Sequence, residues 1–166
     1  MSPRINIHAS CVRVAKAGKD FGAPATAGVL LIGRSGAGKS DLALRLMGRG
    51  AKLVSDDRTE LFLRRGKLLA SAPRPVAGLM EVRGVGIVEL PHARSVSIAL
   101  VVELSAHVER LPERRMFTPP EALDMAPKDR PPLLILSAFE ASAPDKVLAA
   151  VAALHTRSFR ETVKRN

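Results

Sequence analysis

The eight residues from Gly33 to Ser40, GRSGAGKS, constrain the fold of this chain more than any other stretch. They follow an apolar run, GVLLI, and precede SDLALRLMGRG, which is patterned as a helix. A strand, a glycine-rich turn and a helix in that order form a cradle for phosphate groups. Glycines at Gly33, Gly36 and Gly38 let backbone N–H groups turn inward at φ values that other residues resist. Arg34, Ser35 and Ala37 complete the loop. The helix N-terminus adds partial positive charge. Lys39 suits the β- and γ-phosphates, and the Ser40 hydroxyl suits a magnesium ion. The competing reading is a glycine-rich turn with a solvated lysine, and the strand-before, helix-after setting argues against it.

A metal-assisted phosphate site needs a carboxylate nearby. KLVSDD supplies Asp56 and Asp57, 16 and 17 residues after Ser40, at the end of an expected strand. Adjacent residues on a strand point to opposite faces. One carboxylate is thus expected on the metal and the other on the acceptor group, where an aspartate can orient a hydroxyl and take its proton. DDR is also good turn chemistry, which is the bland alternative.

The bulk numbers narrow the class. At 166 residues with 46% apolar content, the chain suits one globular domain with a sizeable core. The absence of Tyr and Trp argues against an aromatic platform for nucleic acid. The single cysteine, Cys11, excludes a disulfide framework and reads as a buried small apolar residue. No apolar run reaches membrane-spanning length and the N-terminus lacks a signal-peptide core, so the expected location is the cytoplasm. The net charge of +10 points to an anionic partner, or else to a solvated basic surface.

Along the chain, RINIHASCVRV reads as one strand, AKAGKDFGAPATAG as a loop, VLLI as a buried strand and residues 39–48 as a helix stopped by Gly48 and Gly50. AKLVSDD reads as a strand, and RTELFLRRGKLLASA as a hairpin turning at RRGK. PRPVAG breaks the chain, LMEVRGVGIVEL is a glycine-interrupted stretch, and SVSIALVVEL is an apolar central strand. Residues 105–132 read as a long Pro-rich loop or flap, LLILSA as a last strand and SAPDKVLAAVAAL as a helix with Ser142 as its cap. The fold class expected is α/β. A single domain over residues 1–166 is expected, with a basic tail from about residue 155 and no N-terminal regulatory domain.

GRSGAGKS, LVSDDR and MEVRGVGIVEL occur together in an order and spacing that resembles the catalytic domain of bacterial HPr kinase/phosphorylase, in the short form seen in some proteobacteria. The resemblance implies a P-loop domain of the phosphoenolpyruvate carboxykinase-like type, with a central mixed sheet and flanking helices. It implies ATP and Mg2+ as donor and metal, and transfer of phosphate to a serine of HPr, the phosphocarrier of the sugar phosphotransferase system. It also implies the reverse phosphorolysis and a hexameric assembly. By position, Gly33 to Ser40 would bind ATP and Asp57 would exchange the hydroxyl proton. Asp56 and Glu81 would join Ser40 around the metal. Arg110 would steady the transferring phosphoryl, and His8 would stand in the active site.

This chain departs from the family in places. His8-Ala9 replaces the usual His-Gly, and the loop before Gly33 is about ten residues longer. The late motif that resembles P-V-K-T-G-R-N in the family reads SAFEASAPD here, with its Lys and Arg gone and Glu140 added. Phosphorolysis is therefore expected to be weak. Two other functions compete: a P-loop small-molecule kinase, and a nucleotide-responsive binding protein that docks a regulatory partner such as a sensor kinase. The E-x-R-G-x-G-I segment argues against the first, and the intact Asp57, Glu81 and Arg110 against the second. His92, His107 and His155 have no partner pattern.

Overall fold

The structure is a computed structural model and describes residues 3–15 and 26–160. Most of the loop read in AKAGKDFGAPATAG and the end of the basic tail lie outside the described residues. In chain order the first elements are β1 (Ile5–His8), β2 (Ser10–Val14), β3 (Ala27–Ile32), α1 (Lys39–Gly48), β4 (Lys52–Ser55), β5 (Arg58–Arg64) and β6 (Lys67–Ser71). They are followed by β7 (Leu79–Val82), β8 (Gly86–Glu89), β9 (Val96–Leu104), β10 (Arg115–Met116), β11 (Pro132–Leu136) and α2 (Ala143–Thr156).

The result is a mixed α/β fold around a curled mixed sheet. β3 and β9 pair in parallel, with Leu30 opposite Val101 and Leu31 opposite Val102. β11 runs parallel to β9 on its other flank. β2 is antiparallel to β3, and β4 is antiparallel to β2. β4 therefore points the same way as β3, β9 and β11, and the C-terminal ends of four strands share one edge. Ligands of open α/β sheets gather at such an edge.

The sheet forks at β9. The start of β9 pairs with β6, at Val96 and Ser97, and its end pairs with β11. β6, β5 and β1 then form an antiparallel lobe curling away from the parallel strands. Alternation along β3 divides the core accordingly. Val29 and Leu31 pack with Leu42 and Leu46 of α1 and with Val147 and Val151 of α2. Leu30 faces the other way, into a cluster with Leu61, Leu68, Leu123 and Met125. Strands covered on both faces have no solvated side to mark with polar residues, which is why VLLI and ALVV are unbroken. Each fully buried leucine of α1 contributes about 1.5–3 kcal/mol relative to exposure.

Local chemistry explains the joints. α1 stops in a Schellman arrangement: the Gly50 N–H donates to Met47, the Ala51 N–H donates to Leu46, and Gly50 sits at φ 93°. The hairpin between β5 and β6 turns on Arg65 and Gly66, both at positive φ (52° and 73°), the mark of a type I′ turn. The structure corrects or sharpens four expectations. RINIHASCVRV is two strands broken at Ala9, because β1 pairs with β5 while β2 pairs with β3 and β4. LMEVRGVGIVEL is a two-stranded hairpin of its own, anchored by the buried Met80. The 105–132 stretch is no plain loop, since β10 pairs with β11 and Leu123 and Met125 are buried. Ser142 is the N-cap residue of α2, as expected, but through its backbone carbonyl, which accepts from the Lys146 N–H, and not through its side chain.

Candidate active site

The 33–40 loop joins the C-terminal end of β3 to the first turn of α1. Gly33, Gly36 and Gly38 stand at φ 147°, 79° and 95°, as an inward-turned backbone requires. Lys39 folds back over this loop. Its Nζ donates to the carbonyl oxygens of Gly33 at 2.9 Å and Arg34 at 3.0 Å. Burial pushes the Lys39 ammonium below its ordinary pKa, and the nearby carboxylates of Asp57 and Asp56 oppose that shift.

Asp56 follows the end of β4 and is buried. Its Oδ1 accepts hydrogen bonds from the hydroxyls of Ser40 and Ser10, each at 2.7 Å. Ser40 comes from α1 and Ser10 from the start of β2, so the carboxylate ties three elements together. A hydroxyl and a carboxylate in contact make the hard-oxygen donor set that suits Mg2+.

Asp57 diverges from Asp56, though not by strand alternation. β4 ends at Ser55, and the Arg58 N–H donates to the Asp56 carbonyl at 2.7 Å, forcing a tight reversal. Asp57 sits at its apex with φ 62°, a conformation that costs a non-glycine residue of order 1–3 kcal/mol and gathers at functional sites. Its carbonyl accepts from the Ala9 N–H at 3.2 Å, and its carboxylate pairs with His8 Nε2 at 3.0 Å. The Asp57 side chain is 70% exposed, at an open depression lined by Asn6, Ile7, His8 and Arg58. One carboxylate is thus enclosed against the loop and the other presented to an incoming group.

Two further expected site residues form no hydrogen bond or ion pair with this cluster. Glu81 is exposed on β7, across from Ile87 of β8. Arg110 is exposed in the segment before β10, where the neighbouring Arg115 reaches Glu109 at 3.6 Å. Among the described residues, no group of three His, Cys, Asp or Glu side chains converges as a metal site.

Residues 1–118 match the family described as HPr Serine kinase C-terminal domain. The chain belongs to this family. The HPr kinase/phosphorylase of Clostridium tetani is 42% identical over 76 residues, covering 46% of this chain and 25% of that protein. The one from Caldanaerobacter subterraneus subsp. tengcongensis is 38% identical over 112 residues, covering 63% of this chain and 33% of that protein. The chain thus spans about a quarter to a third of the length of these relatives. In fold it is similar to the Hpr(Ser) kinase/phosphatase from Coxiella burnetii, with a TM-score of 0.68 at 20% identity over 93% of this chain and 97% of that one.

The match to the HPr serine kinase C-terminal domain ends before β11, so the loop 137–142 after that strand lies outside it. Here the sequence was a poor guide. Arg45, read only as a helix residue, donates to the carbonyl oxygens of Ala138 and Glu140 and ties the loop to α1. The Glu140 carboxylate pairs with Lys146. Ser10 was also missed. The only signal for it was a small hydroxyl residue two positions after His8, at the point where the strand breaks.

Proposed function

We propose that this chain is a P-loop protein serine kinase domain of the phosphoenolpyruvate carboxykinase-like type, transferring the γ-phosphoryl group of ATP to a serine of HPr. The observation that carries the reading is the placement of two unlike carboxylates beside one glycine loop. Asp56 is enclosed by the hydroxyls of Ser40 and Ser10, and Asp57 is exposed and braced by His8. A domain that only held nucleotide would have no use for the second.

The 33–40 loop and Lys39 hold the triphosphate. Ser40 and Asp56 would hold Mg2+, which when bound neutralises phosphate charge. Asp57 accepts a hydrogen bond from the seryl hydroxyl of the acceptor. As that oxygen bonds to the γ-phosphorus, the bond from phosphorus to the β–γ bridging oxygen breaks. The seryl proton passes to the Asp57 carboxylate and ADP leaves. His8 holds Asp57 in position. Glu81 would join the metal side of the site, and Arg110 would steady the transferring phosphoryl group. Hexameric assembly belongs to this reading through the family resemblance, and the exposed Val85 and Ile87 at the tip of the β7–β8 hairpin offer apolar surface for it.

Incubation with ATP, Mg2+ and HPr from the same cell should add one phosphate to a serine of HPr, read by intact mass. ATP binding without transfer to HPr would move the reading to another acceptor. The reverse assay carries a separate expectation. The loop 137–142 has neither the Lys nor the Arg of the family motif, and Lys146 offsets Glu140 rather than standing free. Inorganic phosphate should therefore release seryl phosphate far more slowly than the forward reaction installs it. Equal rates would show that phosphate finds its cations elsewhere.

A further inference from the structure

We propose that the ring of Phe139 is the stacking face for the base of the nucleoside triphosphate held by the 33–40 loop. This inference rests on the nucleotide-binding reading above. The loop 137–142 forms a wall of the cradle. A Cβ built on Gly38 would lie 2.7 Å from the Ala138 side chain and 3.2 Å from the Phe139 ring. Phe139 is nevertheless 70% exposed.

The other described phenylalanines are covered. Phe62 lies under the Arg4 guanidinium at 4.1 Å, Phe159 lies near Arg114 at 5.5 Å, and Phe117 packs on the core. Phe139 alone among them offers a bare face, and it does so beside the last glycine of the phosphate loop. A nucleotide gripped by its phosphates must carry ribose and base beyond the cradle.

The backbone that carries the ring is also held firmly. Arg45 binds the carbonyls on either side of it, at Ala138 and Glu140. The Ala143 N–H donates to Glu140, whose carboxylate pairs with Lys146. A tied backbone leaves little loop freedom to lose when a base settles on the ring. The composition argues against a platform of several rings, but one ring suffices for one base. Stacking on a π-face is tolerant of base identity, so ATP and GTP should bind alike.

The chain has no Trp or Tyr, so Phe139→Trp places a single indole at the site. Calorimetry of the whole chain with Mg2+ should show ATP binding more tightly than inorganic tripolyphosphate. Phe139→Ala should weaken ATP about tenfold or more and leave tripolyphosphate unchanged. Phe139→Trp should restore ATP binding, with indole emission quenched by ATP and not by tripolyphosphate. An unchanged ratio of the two affinities in Phe139→Ala, or equal quenching by both ligands, overturns the proposal and leaves the phosphate cradle standing. Wild-type protein that binds neither ligand overturns both. Slower transfer to HPr in Phe139→Ala with ATP affinity intact would assign the ring to the acceptor protein, which also overturns it.

Discussion

Asp57→Asn should lower the rate of phosphoryl transfer to HPr by about 10²–10⁴, the range that a positioned general base supplies. The substitution keeps the shape of the side chain and a hydrogen bond to His8, but removes the ability to take the seryl proton. ATP affinity should hold or improve slightly. Asp57 is largely exposed and its negative charge opposes a triphosphate near Lys39. Single-turnover transfer beside equilibrium ATP binding separates the two effects. A variant retaining more than about a tenth of the rate, against the expected range, would remove Asp57 from the role of base.

Gly38→Ala should be nearly as damaging for a different reason. Its φ of 95° disfavours any side chain, by roughly 1–2 kcal/mol. The new methyl group would also lie 2.7 Å from Ala138, in a loop that Arg45 prevents from retreating. Overpacking of this kind costs about 1–3 kcal/mol more. The protein relieves it by opening the 33–40 loop, so nucleotide affinity should fall about a hundredfold, as some 3 kcal/mol dictates. Gly36→Ala is the internal control. Its φ is 79°, but nothing lies within 4 Å of the added carbon, so only the conformational cost applies. Equal losses in the two variants would mean that packing against the 138–139 loop is irrelevant.

The parts of the fold that could be read from sequence are those whose signal is local. The helix over 39–48 is marked by its own glycines, the β5–β6 hairpin by RRGK, and the buried β9 by an apolar run with no polar face. What escaped reading depends on partners distant in the chain. Nothing in RINIHASCVRV says that it breaks at Ala9, because the break follows from which strands β1 and β2 each pair with. Asp56 and Asp57 are visible as candidates, but their opposite surroundings come from a turn after Ser55 rather than from strand alternation. Arg45 looks like any solvated helix residue until the loop 137–142 is seen against it. Glu81 and Arg110, which enter only through family resemblance, form no bond to the cluster around Asp56.

The chain passes between the antiparallel lobe and the sheet around β3 at two neighbouring corners, Ala9 between β1 and β2 and Asp56-Asp57 between β4 and β5, and the Ala9 N–H bonds to the Asp57 carbonyl. The backbone of Asp57 is therefore a rivet between two halves of the molecule. Neither half can come undone while the other keeps Asp57 beside the glycine loop. In rising denaturant, catalysis should vanish with the fold as a whole, without an earlier step in which a loosened site sits on an intact scaffold.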